Sequence, residues 1–399
     1  MEHMQKKTQS LLIHGGTIVL PDEAVTGAVA IRDGVIEGVL TSAESVQHWM
    51  DNHPDAQYME AGGRYVLPGL IDIHCDALEK EVQPRPNTLF PLDMSLLEFE
   101  RKLPLHGITT MYHSLSLGVG LSLRGDHYLT GMIDQISRYR SKRSMVRNRI
   151  HLRYEVSHLD GLARVEQYLN DNQIDYLSFM DHSPGQGQYR EEGSFERYVM
   201  KNQGVTAAEV GHIVSTLAEN RAKVDWDKLE HLGRLAGEQG IAVASHDDDS
   251  SQMIEDRSRL GVSICEFPIN METAKVAADR GIQVCVGAPN VVRGVSHDHN
   301  LRASDAIAAG VAHILCSDYH PSSLLTAIFK LVDDGVAALP EAVRMATLHP
   351  AQALGIDDHL GSIVPGRAAD LIIVDRFEGH PLTVQTLVGG TTVFTCSER

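Results

Sequence analysis

Hydrophobic and polar positions divide the chain into two strand-rich ends around an alternating middle. Apolar runs at 11–20, 28–31 and 34–39 are short and separated by turns, with Arg32-Asp33-Gly34 a hairpin signal between the last two. The same texture returns at 360–374 and 386–394. Between them, strand-like runs at 66–75, 108–116, 150–157, 174–181, 241–246, 262–267, 282–287 and 312–317 alternate with helix-period segments such as 225–239 and 327–338. This alternation predicts an α/β fold, and eight strands predict a closed (β/α)8 TIM-type barrel, with an open doubly wound sheet as the alternative. The expected division is a barrel over 66–357, a helical insertion near 185–235, and a small β-sandwich-like domain built from 1–65 and 358–399.

Barrels of this kind carry their chemistry at the carboxyl ends of the strands. The first run ends in His74 and Asp76, which lie two residues apart and so project to the same side. The third run ends in Glu155, the fourth in His182, the fifth in His246 and the last in Asp318. One polar residue at a strand end is ordinary; five strands each ending in a metal-compatible residue point to a metal centre. Three imidazoles and three carboxylates exceed the needs of one tetrahedral Zn2+. They suit two divalent metals ~3.5–4 Å apart, with Glu155 bridging. Zn2+ is expected first, and the oxygen-rich donors also admit Mn2+ or Fe2+. Asp318 is the expected catalytic base. Asp247 and Asp248 are candidates to orient ligand imidazoles, Asp248 equally to cap a helix. Cys75, between two ligands on one strand, is expected to face away and pack. His113 fits a mouth or a core position equally. Neither a Gly-x-x-x-x-Gly-Lys-Ser/Thr loop nor a Gly-x-Ser-x-Gly elbow is present, which disfavours P-loop and serine-esterase chemistry.

Composition narrows the partners. The net charge of −18 argues against a nucleic-acid surface and means that an anionic substrate needs local cations. No apolar run approaches the ~20 residues that span a bilayer. Residues 1–10 lack an apolar signal core, and five scattered cysteines suggest reduced, buried thiols. A cytoplasmic protein with no membrane partner is expected; a homodimer stays open.

Pro68-Gly69-Leu70-Ile71-Asp72-Ile73-His74, the divided β domain and Gly366-Arg367-Ala368-Ala369-Asp370-Leu371 resemble the amidohydrolase superfamily over nearly the whole chain. Two departures, Asp76 for the second His of His-x-His and Glu155 for a carboxylated lysine, point to one branch. Segments 78–86, 180–186, 244–248, 287–294 and 317–319 resemble its phosphonate-degradation branch. That resemblance implies a metal-dependent hydrolase acting on a small phosphorylated sugar, α-D-ribose 1-methylphosphonate 5-triphosphate, with release of pyrophosphate. Such a substrate asks for cations and hydrogen-bond donors, and Lys80, Arg85, Ser183, Gln186 and Arg293 are the expected binding residues, Arg293 on a loop. His297 joins them from 294–300, where the sequence departs from the branch's usual loop; the role of His299 is open. The alternatives are a C–N hydrolase (deacetylase, deaminase or cyclic amidase) at the same site, and a non-catalytic barrel scaffold.

Overall fold

The computed structural model describes the chain except for residues 1–8, 86–87, 119–125, 191–192, 194–195, 197–206, 297–299 and 397–399. Its strands form two sheets of eight. One gathers both ends of the chain: β1 (Ser10–Val19), β2 (Ala24–Arg32), β3 (Val35–Leu40), β4 (Gln57–Glu60), β5 (Tyr65–Pro68), β14 (Leu371–Phe377), β15 (His380–Val388) and β16 (Thr391–Thr395). Its order is β16-β15-β14-β5-β1-β2-β3, with β4 also on β1, so it is one continuous, mostly antiparallel sheet. Ile13, Ile31, Ile36, Val66, Ile373 and Leu387 form one buried cluster within it, and Trp49 of the helix Ala43–Asn52 closes another with Leu12, Ala28 and Ala30.

The other sheet is the parallel barrel: β6 (Leu70–Cys75), β7 (Ile108–Leu117), β8 (Arg147–Glu155), β9 (Tyr176–Met180), β10 (Ala242–His246), β11 (Ile264–Glu266), β12 (Gln283–Gly287) and β13 (Ile314–Cys316), neighbours in chain order. Its last and first strands meet at the mouth, where the Asp318 N–H donates to the His74 carbonyl (2.9 Å) and the Asp76 N–H to the Asp318 carbonyl (2.8 Å). Near the base, the carbonyls of Met345 and Ala346 accept from Leu315 and Ile71.

The run 66–75, expected as a single strand, is two. β5 belongs to the terminal sheet and β6 to the barrel, divided at Gly69. A Cβ there would lie 2.2 Å from Thr109 Oγ1, so the crossing needs glycine. Both halves are buried, which is why the apolar pattern runs through the break. The two sheets are also tied by Arg147, whose guanidinium donates to both oxygens of Asp370 (2.7 and 3.0 Å). In the region expected as an insertion, the described residues include the helices Ala207–Arg221 and Trp226–Glu238. The second packs on β10 as a barrel helix, capped by the Asp225 side chain.

Candidate metal centre

Alternation along the strands stacks the barrel interior in layers. The lowest is apolar: Ile71, Ile73, Tyr112, Tyr176, Ala244, Ile264, Cys285 and Ile314. Two residues further along β7, β9 and β11 come Ser114, Ser178 and Glu266, and on β8 His151 lies level with Ser114 and Arg153 with Ser178. The inward face is therefore polar on these four strands near the mouth.

Glu266 is the hub of this polar layer. It is completely buried, and its Oε1 accepts from His74 Nδ1 (2.9 Å) and the Tyr176 hydroxyl (3.0 Å). Its Oε2 accepts from the Ser178 hydroxyl (2.8 Å) and lies 3.4 Å from His246 Nδ1. Burial alone would raise its pKa, but the surrounding His74, His151 and His246 hold the carboxyl well below the usual range. His151 stacks on Tyr176 with ring centroids 4.1 Å apart, and its two nitrogens meet Ser114 Oγ (3.0 Å) and Ser178 Oγ (2.6 Å). Burial pushes its pKa far down, so it is neutral.

Above lies the mouth. His182 has Nδ1 3.0 Å from Glu155 Oε2, and its N–H donates to Glu155 Oε1 (3.0 Å). Its Nε2 is 3.6 Å from Asp247 Oδ2, which also lies 3.5 Å from His246 Nε2. The His74 and His246 rings are 5.4 Å apart, as are those of His182 and His246. Three strands turn out of the barrel through left-handed residues: Asp247 (φ 55°), Phe267 (φ 55°) and Asp318 (φ 59°). Such conformations are disfavoured for non-glycine residues and gather at functional sites. The Phe267 ring lies against both His74 and His246.

Electrostatics separates the histidines. For His182, burial works downward, but Glu155 and Asp247 outweigh it and raise the pKa to about 9. Burial, aided by the Arg153 charge, lowers His246 to about 4 and leaves it neutral. Burial raises Asp318 to about 6, with His74 opposing and Asp76 reinforcing the shift.

The donor set fits a divalent metal. His182, His246 and Asp247 offer three ligand atoms within 4.8 Å of one another. Among the described residues, His182 Nε2 and Asp76 Oδ1 are buried without a hydrogen-bond partner. His74, His151 and Glu266 converge equally closely, but hydrogen bonds already occupy that group, leaving it less free to ligate.

Of the six expected ligands, His182 and His246 converge with Asp247, and Glu155 meets His182; His74 converges instead with His151 and Glu266, and Asp76 and Asp318 meet through backbone hydrogen bonds at the β6–β13 seam. The sequence reading missed Glu266 and Arg153. Glu266 carried a signal, being the one carboxylate in the sixth apolar run. Arg153 did too, lying two residues before Glu155 on the same face. Asp247 touches His182 and His246, whereas Asp248 accepts from the Ser245 hydroxyl and the Cys265 thiol; the following helix is capped by Ser250 instead.

Of the expected substrate-binding residues, Lys80 and Arg85 are exposed just past β6, with the Lys80 ammonium 4.9 Å above the Tyr319 ring. Ser183 is buried with its hydroxyl unpartnered among the described residues. Gln186 accepts from Arg221 (2.9 Å). Arg293 is exposed but ends the helix Ala288–Arg293 rather than lying on a loop, because Pro289 at the first turn and left-handed Gly294 at the cap fit a short helix. His297 and His299 lie outside the described residues. His113 is a core residue, buried with Nε2 2.8 Å from Asn148 Oδ1, and Cys75 packs in the same barrel cluster as Leu115.

Residues 193–395 match the model of the Amidohydrolase family. The chain is 33% identical over 376 residues to the alpha-D-ribose 1-methylphosphonate 5-triphosphate diphosphatase of Escherichia coli (strain K12), covering 93% of this chain and 96% of that one. The chain belongs to the amidohydrolase family. An imidazolonepropionase of Solibacter usitatus (strain Ellin6076) is 25% identical over 89% of this chain and 85% of its own. The barrel with its terminal sheet superposes on the A. niger ochratoxinase with a TM-score of 0.68 over 98% of this chain and 96% of that one, at 14% identity, a likeness of fold alone. Among the described residues, no helix is long and apolar enough to cross a membrane.

Proposed function

We propose that this amidohydrolase is a metal-dependent diphosphatase that hydrolyses α-D-ribose 1-methylphosphonate 5-triphosphate to the 5-phosphate and pyrophosphate. The observation that carries the reading is the 33% identity to the E. coli diphosphatase over nearly the full length of both chains. The candidate ligands His74, Asp76, Glu155, His182, His246 and Asp318, joined by Asp247, lie within that span. A bound divalent metal, Zn2+ first among candidates and a pair in the fullest use of the donors, would supply positive charge for phosphoryl oxygens and acidify water. Glu266 holds the Nδ1 faces of His74 and His246, which leaves His74 Nε2 for a metal, while His246 Nε2 faces Arg153 Nη2 (3.1 Å) and would serve one only once that guanidinium turns to an anion. Asp318, a carboxylate that stays ionised beside bound cations, is the residue to take a proton from the attacking water. The water oxygen joins phosphorus, the phosphoanhydride bond breaks, and pyrophosphate leaves with the bond's electrons. Exposed Lys80, Arg85 and Arg293 suit the outer charges of the substrate.

The test uses chelator-stripped protein reloaded with Zn2+, Mn2+ or Fe2+. Pyrophosphate released from the ribose 5-triphosphate, with an N-acyl amino acid left intact, supports the reading. Turnover of the N-acyl substrate alone would replace it with C–N hydrolysis.

A further inference from the structure

We propose that Arg153 binds substrate, its guanidinium gripping the non-bridging oxygens of the phosphoryl group under attack. This rests on the diphosphatase reading and names the residue that makes the site prefer a phosphoryl group. On β8, His151, Arg153 and Glu155 share the inward face, and Arg153 stands between the buried polar layer and the mouth. Its Nη2 lies 3.1 Å from His246 Nε2, the nitrogen left over once Nδ1 faces Glu266. The guanidinium is therefore at the reaction centre, inside the rim where Lys80 and Arg293 are exposed.

Beyond the neutral His246, its surroundings offer it no anion among the described residues. Arg153 is only 5% exposed, yet its Nε has no hydrogen-bond partner and no carboxylate lies within ion-pair distance among the described residues. A desolvated guanidinium in that state lacks the anion it is built to hold. Its charge is nevertheless felt at the centre: it lowers the pKa of Asp247, His246 and Asp318. The planar fork matches two phosphoryl oxygens at once, whereas an amide carbonyl presents a single oxygen. The competing role is an internal counter-ion for the carboxylates of the mouth.

Arg153→Gln and Arg153→Lys separate the two. Calorimetry with inorganic pyrophosphate, on stripped and metal-loaded protein, reads anion binding without turnover. The Gln variant should bind pyrophosphate at least ~10-fold more weakly and lose ~10²–10³ in kcat, the range for a lost charge-stabilising donor, at unchanged metal content. The Lys variant, which keeps the charge, should fall between, and its far-ultraviolet dichroism and Tm report folding. Wild-type pyrophosphate affinity in both variants, or a change confined to metal affinity, overturns the proposal in favour of the counter-ion. If the wild type releases no pyrophosphate from the triphosphate but the variants still lose anion binding, the diphosphatase reading fails while the anion site stands.

Discussion

Replacing Glu266 by Gln tests how the metal centre is held. The side chain keeps its shape but exchanges one carboxylate oxygen for an NH2. In the native site, Oε1 faces His74 Nδ1 and Tyr176, and Oε2 faces Ser178 and His246 Nδ1. Whichever side the NH2 occupies, one imidazole meets a donor where it had an acceptor. That imidazole must move its proton to Nε2, the nitrogen intended for metal. Losing the partner that orients a ligand histidine weakens metal binding by ~10–100-fold, or about 1.4–2.7 kcal/mol. At saturating metal, the stabilisation of loaded over stripped protein should shrink by the same amount. The stripped protein should itself lose about 1.5–3 kcal/mol as hydrogen bonds to a charge become neutral ones. Competition against a fluorescent chelator measures the affinity, and urea unfolding with and without metal measures the stability. Wild-type metal affinity would refute the reasoning; complete loss of one metal equivalent would show that Glu266 is itself a ligand.

Asp318→Asn should retain metal while kcat falls ~10²–10⁴, the range for a lost general base; near-native turnover with full metal content would remove Asp318 from that role. In the metal-free protein His182 titrates at about 9, so below that pH a metal must displace its proton. Metal affinity should therefore climb ~10-fold per pH unit from 7 toward 9, with about one proton released per metal at pH 8, and a flat profile would contradict the His182 environment. Gly69→Ala drives a methyl into Thr109 and should cost ~1–3 kcal/mol in urea unfolding, whereas unchanged stability would mean that the crossing adapts.

Most of the barrel was legible because its strands are buried and bounded by polar helices, so apolar runs and strands nearly coincide. What failed were places where burial hides a change of partner. Residues 65–71 carry no charge, and nothing in that pattern says that Pro68 pairs in one sheet and Leu70 in another. The candidate ligands His74, His182 and His246 stood out because an imidazole at the end of an apolar strand is conspicuous. Glu266 was passed over because its strand is three residues long and runs straight into Phe267 and Pro268. Arg153 was missed because arginine reads as surface, and its burial becomes visible only once β8 is seen between two neighbours. Asp370, noted as part of a family signature, proves to be an anchor for Arg147 and for the Gly389 N–H.

The crossing at Gly69 also bears on how the chain is made. β5 lies between β1, synthesised just before it, and β14, which follows some 300 residues later. On a ribosome, one edge of β5 therefore stays unpaired while the entire barrel emerges, and an unpaired edge invites pairing with another chain. Contacts so distant in sequence form slowly and late. A strand translated long after the barrel begins is thus the one that seals β5, so a truncation that removes β14 exposes the edge of a strand made some 300 residues earlier.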